Sequence, residues 1–115
     1  MQKPPKIIDD ELYQLLRADK VAEFNERKKG HELPIRMNGL DFRGLDLRGI
    51  DADGVDFSNA YFHQADLRGI DFSKSRLEGA SINKASISGC YFPRELSAEE
   101  IRLSHTCGTR MRYRK

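Results

Sequence analysis

The chain has 115 residues, 33% of them charged and 38% hydrophobic, with a formal net charge of +2. That length supports one modest domain. No apolar run approaches the roughly 18 residues of a membrane helix, and the near-neutral balance by itself implies no polyanionic partner. The start, MQKPPKIIDDE, holds no apolar stretch of signal-peptide length. Cys90 and Cys107 stand alone, without metal-type spacing. Both observations predict a cytoplasmic protein with free thiols.

Charge divides the chain into three parts. Residues 1–34 hold seven basic and seven acidic groups, residues 35–94 eight and eight, and residues 95–115 five and three. The first part contains DDELYQLLRADKVAEFNERKKG, which reads as helical. Asp9 or Asp10 is placed to cap it, and Leu12, Leu15 and Leu16 share one face. A break near Asp19 is predicted to leave Val21, Ala22 and Phe24 as a second short face.

The middle part repeats every five residues. Met37, Phe42, Leu47, Ala52, Phe57, Phe62, Leu67, Phe72, Leu77, Ile82, Ile87 and Phe92 stand at five-residue steps, and all are apolar. Two residues before each comes an apolar or small one, from Ile35 through Ser75 to Cys90. Neither a helix of period 3.6 nor a strand of period 2 has this spacing. Two apolar residues split by a polar one share a strand face, but the next lies three positions on and would turn outward. It faces inward again only if the chain turns a corner, where Gly39, Gly44, Gly49, Gly54, Gly69, Gly79 and Gly89 fall. Five residues a side and a corner of about 90° close a coil after four sides, so sixty residues give about three coils, bonded like parallel strands about 4.8 Å apart. The inward columns are then Met37–Phe57–Leu77, Phe42–Phe62–Ile82, Leu47–Leu67–Ile87 and Ala52–Phe72–Phe92.

The units LDFRG, LDLRG, ADLRG and IDFSK resemble the pentapeptide-repeat family. The resemblance spans residues 35–94 and implies an all-β solenoid, a right-handed quadrilateral β-helix. The first coil departs from the family with large Leu40, Leu45, Ile50 and Val55 where Ala is usual. Ala52 is undersized for a centre, and Arg36 and Arg76 stand where Asp or Asn is common. A solenoid needs caps at both ends, so residues 1–34 are expected to form a helical cap over the first coil. In the last part, Ser97 and Glu100 form a capping-box pattern. A short helix from about Ala98 to about His105, ended by Gly108, is expected to close the last coil with Ile101 and Leu103. Its ending resembles those of small bacterial members of the family.

No constellation for catalysis, cofactor or metal is legible. His31, His63 and His105 lie far apart, Cys90 points inward by phase, and every Gly in the repeats is explained by a corner. The columns place Asp46 and Asp66, flanked by Arg48 and Arg68, on one wall, and Asp51, Asp53 and Asp71 on another. These walls are the candidate partner-facing surface. The predicted function is a non-catalytic protein-interaction module or scaffold, as monomer or homodimer, with no membrane contact. The resemblance adds an alternative, since the quinolone-resistance members that protect DNA gyrase mimic duplex DNA. Charge speaks against it. About 15 Å of duplex carries about nine negative charges, whereas this repeat region nets zero, and Leu40 to Ser73 holds seven acids against three arginines. A further alternative is the tail RMRYRK, where Arg110, Arg112, Arg114 and Lys115 could contact nucleic acid or another anionic partner.

Overall fold

The structure is a computed structural model and describes residues 4–114. The chain returns beside itself every twenty residues. Strand β1 (Ile35–Arg36) pairs in parallel with β2 (Val55–Asp56), with Ile35 opposite Val55. Single bridges repeat the same offset: Asp41 with Tyr61 and Tyr61 with Ser81, Asp46 with Asp66 and Asp66 with Ser86, Asp71 with Tyr91. The result is a β-helix solenoid with three twenty-residue layers, 35–54, 55–74 and 75–94. Formal strands are short because each five-residue unit spends most of its length turning. Within each corner the amide three residues after a centre donates back to that centre's carbonyl, as from Leu45 to Phe42 (3.2 Å) and from Ala65 to Phe62 (3.0 Å). The residue before that amide takes positive φ in most corners, as Gly44 does at 72°, although Lys74, before Ser75, does not. Asn59, Gln64 and Lys84 hold the same place at 61°, 60° and 58° without being glycine, so the layer imposes the corner even where the residue does not favour it.

The core follows the columns. The centre residues are buried from Met37 to Ile82, while Ile87 and Phe92, in the last layer, are half-buried. Phe42 stacks on Phe62 at 5.2 Å and 11°, and Phe57 meets Phe72 edge-on at 6.0 Å. The aromatic stripe is therefore core. Beside it, Ala60, Ala65, Ala80 and Ala85 fill the narrower positions. Cys90 is half-buried, its Sγ donates to the Leu67 carbonyl at 2.9 Å, and burial pushes its thiol pKa up.

Two helices close the first end. In α1 (Glu11–Arg17) the Asp10 carboxylate accepts from the Tyr13 amide at 2.9 Å, and Leu12, Tyr13 and Leu16 are buried. Tyr13 carries the contact: its ring meets Phe42 edge-on at 5.5 Å and its hydroxyl donates to the Asp41 carbonyl at 2.7 Å. Asp19, at φ 63°, breaks the helix, and α2 (Val21–Lys28) buries Phe24. Ala22 does not join that face; it is exposed, because α2 presents Phe24, Lys28, Asn25 and the edge of Val21 inward. The caps also satisfy the first layer's open backbone. Lys6 pairs with Leu40, donating to Gly39 O (3.1 Å) and accepting from Asp41 N–H (2.8 Å). Asn25 copies a strand with its side chain, donating to Gly49 O (2.9 Å) and accepting from Asp51 N–H (2.8 Å).

At the other end α3 (Ala98–Cys107) starts at Ser97, whose hydroxyl accepts from Glu100 N–H at 3.1 Å, and stops at Gly108, φ 77°. The Glu100 carboxylate goes to Arg112 instead of back to the cap. Leu103 is 41% exposed and does not close the core; Leu96, Ile101, Ser104 and Met111 take that role, since α3 lies with its Ser104 face inward.

Candidate interaction surfaces

The flat walls of the solenoid come from outward residues at twenty-residue intervals. On one wall Asp46, Arg48, Asp66 and Arg68 form a continuous ladder. Arg48 donates to Asp46 at 2.7 Å and reaches up to Asp66 at 3.3 Å, and Arg68 donates to Asp66 at 2.7 Å. Each aspartate also accepts from the backbone amide two residues on, at 3.1 Å for Asp46 and 3.3 Å for Asp66, a turn that aims the carboxylate along the wall. The hydrogen bond from Arg48 holds Asp46 down at about 2, and Arg68 does the same for Asp66 in direction. The ladder is thus internally neutral, with fixed side chains.

The second predicted set is dispersed. Asp51 pairs with Lys28 of α2 at 3.0 Å; burial raises its pKa, but Lys28, the Asp53 amide and Lys29 together outweigh this and the net shift is downward. Asp51 also accepts from the Asp53 amide at 3.2 Å. The Ser73 side chain, and then its amide at 2.8 Å, lower the Asp71 pKa, and Asp71 lies beneath Tyr91, the most exposed large hydrophobic among the described residues at 69%. So Asp51 belongs to the cap contact, while Asp71 and Tyr91 face outward.

The tail is packed against the third layer through Met111 and Tyr113, while its described arginines point outward or to neighbouring groups. Met111 is fully buried and exchanges strand bonds with that layer: Gly79 N–H donates to Met111 O at 2.7 Å, and Met111 N–H to Ala80 O at 2.8 Å. Arg110 donates to Asn59 at 3.1 Å and to the Tyr61 hydroxyl at 2.9 Å. Arg112 donates to Glu100 at 2.9 Å, and Arg114 donates from its backbone to Glu95 O at 2.8 Å and from its guanidinium to Arg94 O. The Tyr113 hydroxyl accepts from Leu77 N–H at 2.9 Å, and Arg76 lies over its ring at 5.6 Å. Lys115 lies outside the described residues. The alternation Arg-Met-Arg-Tyr-Arg that puts the arginines on one side also puts Met111 and Tyr113 on the other, and those two anchor the segment.

One pairing was invisible in the sequence. His63 Nε2 lies 2.7 Å from Ser81 Oγ, eighteen residues away, because 63 and 81 meet where the second and third layers stack. Ser81 is only 2% exposed, and the Asp41 carboxylate nearby is held by Arg43 at 2.9 Å. Among the described residues no group of His, Cys, Asp and Glu is arranged to hold a metal ion. No helix of the described residues is long and apolar enough to cross a membrane.

Twenty-residue return, an inward Phe and Leu ladder and glycine-type corners define a repeat protein of the β-helix class. The family described as Pentapeptide repeats matches eight copies here, over residues 35–73 and 56–92, and the chain belongs to that family. Comparison with curated proteins and with solved structures gave no match.

Proposed function

We propose that this protein is a non-catalytic protein-interaction module, acting from the cytoplasm, whose three layers wind as a right-handed, four-sided helix. The observation that carries this reading is the ladder Asp46–Arg48–Asp66–Arg68. It presents charged groups already fixed by one another, so a partner meets an ordered surface and little side-chain entropy is lost on docking. Family membership supports the same reading. The core is filled by side chains, and the carboxylates of Asp41, Asp46, Asp51, Asp56, Asp66 and Asp71 are each committed to an arginine, a lysine or a backbone amide, which supports a non-catalytic role.

DNA mimicry is the weaker reading, because a mimic needs an uncompensated row of negative charge and this row alternates in sign. Affinity capture from the native host, comparing wild type with Arg48→Glu/Arg68→Glu, tests the proposal. A partner retained by wild type and lost by the charge-reversed wall supports it. A gyrase supercoiling assay is expected to show no inhibition; inhibition at near-stoichiometric protein would replace this reading with mimicry.

A further inference from the structure

We propose that the cleft lined by Arg36, Lys74 and Arg76 is a binding site for a phosphate monoester, a ligand that ends in a single phosphoryl group. The cleft lies on a different wall from the Asp–Arg ladder and does not depend on it.

The repeat itself marks the place. The residue before each centre points out of the wall, and at 41, 46, 51, 56, 66 and 71 it is Asp. Only at 36 and 76 is it a base. Forty residues separate these two, so the twenty-residue return puts them in one column, with Asp56 between: Arg36 pairs its backbone with Asp56, and Asp56 with Arg76. Lys74 stands at the adjoining corner, above Gly54, whose amide donates to Lys74 O at 2.9 Å. Arg36, Lys74 and Arg76 are all exposed, and together with Gly54, Val55 and Asp56 they line one cleft of about 460 Å³.

Charge in this cleft is not compensated as it is elsewhere. Arg43, Arg48 and Arg68 each bind the Asp two residues before them. Arg36 has Pro34 before it and Asn38 after it, and neither carries charge. Among the described residues neither the Arg36 nor the Lys74 side chain has an ion pair. Arg76 gives one nitrogen to Glu78 at 2.9 Å and rests over the Tyr113 ring, which holds it in place beside the cleft. The Asp56 carboxylate accepts from the Ser58 amide at 2.9 Å, a turn that aims it along the wall and away from the Lys74 corner. Three cations against this one carboxylate leave the lining with a surplus of two positive charges.

That surplus specifies the ligand. A phosphoryl group carries about −1.5 to −2 charge at pH 7 and three strong acceptor oxygens, enough for two guanidinium forks and an ammonium. A carboxylate brings one charge and two oxygens, and leaves a cation unanswered. The cleft volume falls within the roughly 300–1,000 Å³ of small-ligand sites. A chain of phosphates fits poorly, because Asp53 and Asp71 lie on the adjoining wall and repel a second one.

The test is an NMR titration of the full chain with glycerol phosphate, with sodium chloride keeping the ionic strength constant. Saturable shifts are expected at Arg36, Lys74, Ser75 and Arg76. Arg36→Gln and Lys74→Gln should each keep the wild-type melting temperature and weaken Kd about tenfold, the loss of one charge-assisted contact. Glycerate, the carboxylate probe, should bind wild type at least about tenfold more weakly than glycerol phosphate. Glycerate binding as tightly, shifts that grow with chloride as they do with phosphate, or an unchanged Kd in both variants overturns the inference. A capped phosphoserine peptide distinguishes the source: tighter binding than glycerol phosphate assigns the phosphoryl group to a protein partner, weaker binding to a small molecule, and either supports the site. Failure here leaves the ladder and its capture experiment standing.

Discussion

Phe62 shows how much one side chain carries here. It is fully buried, stacks on Phe42 at 5.2 Å and meets Phe57 and Phe72 edge-on. Phe62→Ala should cost about 3–5 kcal/mol, a large share of the roughly 5–15 kcal/mol that holds a domain folded; a thermal melt checks it. His63 gives a pH test. Burial lowers its pKa, and the nearby Arg43 charge lowers it further, only partly opposed by Asp41. The unfolded chain therefore binds this proton more readily, so His63 destabilises the fold as pH falls through about 6.5 toward its lower folded value. The melting temperature is expected to fall between pH 7.5 and pH 5, and His63→Gln should remove part of that drop. An identical drop in the variant would assign it to other groups.

At the scale of elements, the caps matter through the backbone edges they close as well as the apolar groups they cover. Asn25 supplies two edge bonds from one side chain. Asn25→Ala leaves both groups to water and should destabilise by about 1–3 kcal/mol, read by chemical denaturation. The C-terminal segment does more. A chain ending at Thr109 loses the buried Met111, its two strand bonds and the Tyr113 contact to Leu77. It should melt well below wild type and bind a hydrophobic dye at the uncovered end. An unchanged melting temperature would show the segment to be dispensable.

For the whole molecule, pairing of charge decides what it can attract. The wall ladder is neutral, and Arg110, Arg112 and Arg114 are each already engaged. Binding of duplex or single-stranded nucleic acid should therefore be weak at low salt, with a shallow salt dependence, because the ladder offers no net charge and, of the tail's described arginines, Arg112 is neutralised by Glu100 and only Arg110 and Arg114 are left to release counterions. Titration at two salt concentrations measures this. A steep slope that vanishes in the chain ending at Thr109 would restore the tail as a nucleic-acid contact.

The five-residue period by itself determined the repeat region, its inward columns and its corners, because a fixed step between apolar residues leaves the backbone few ways to bury them all. Helix ends were equally legible at Asp10, Ser97 and Gly108, where local hydrogen bonding and φ preference act within a few residues. Tertiary structure alone decided what the remaining polar groups meet. Tyr13 and Phe42 are far apart in sequence, as are Met111 and Ala80 and His63 and Ser81, and no local periodicity records those distances. Leu103 and Ala22 look like core in a short helical pattern and are not, because the rotation of each helix is set by Ser104 and Phe24 packing on the layer ends. The tail's arginines likewise read as free charge until Met111 and Tyr113 find their places on the open third layer. Only then is it visible that the amides of Ile87 and Gly89, in the same layer, meet no acceptor among the described residues.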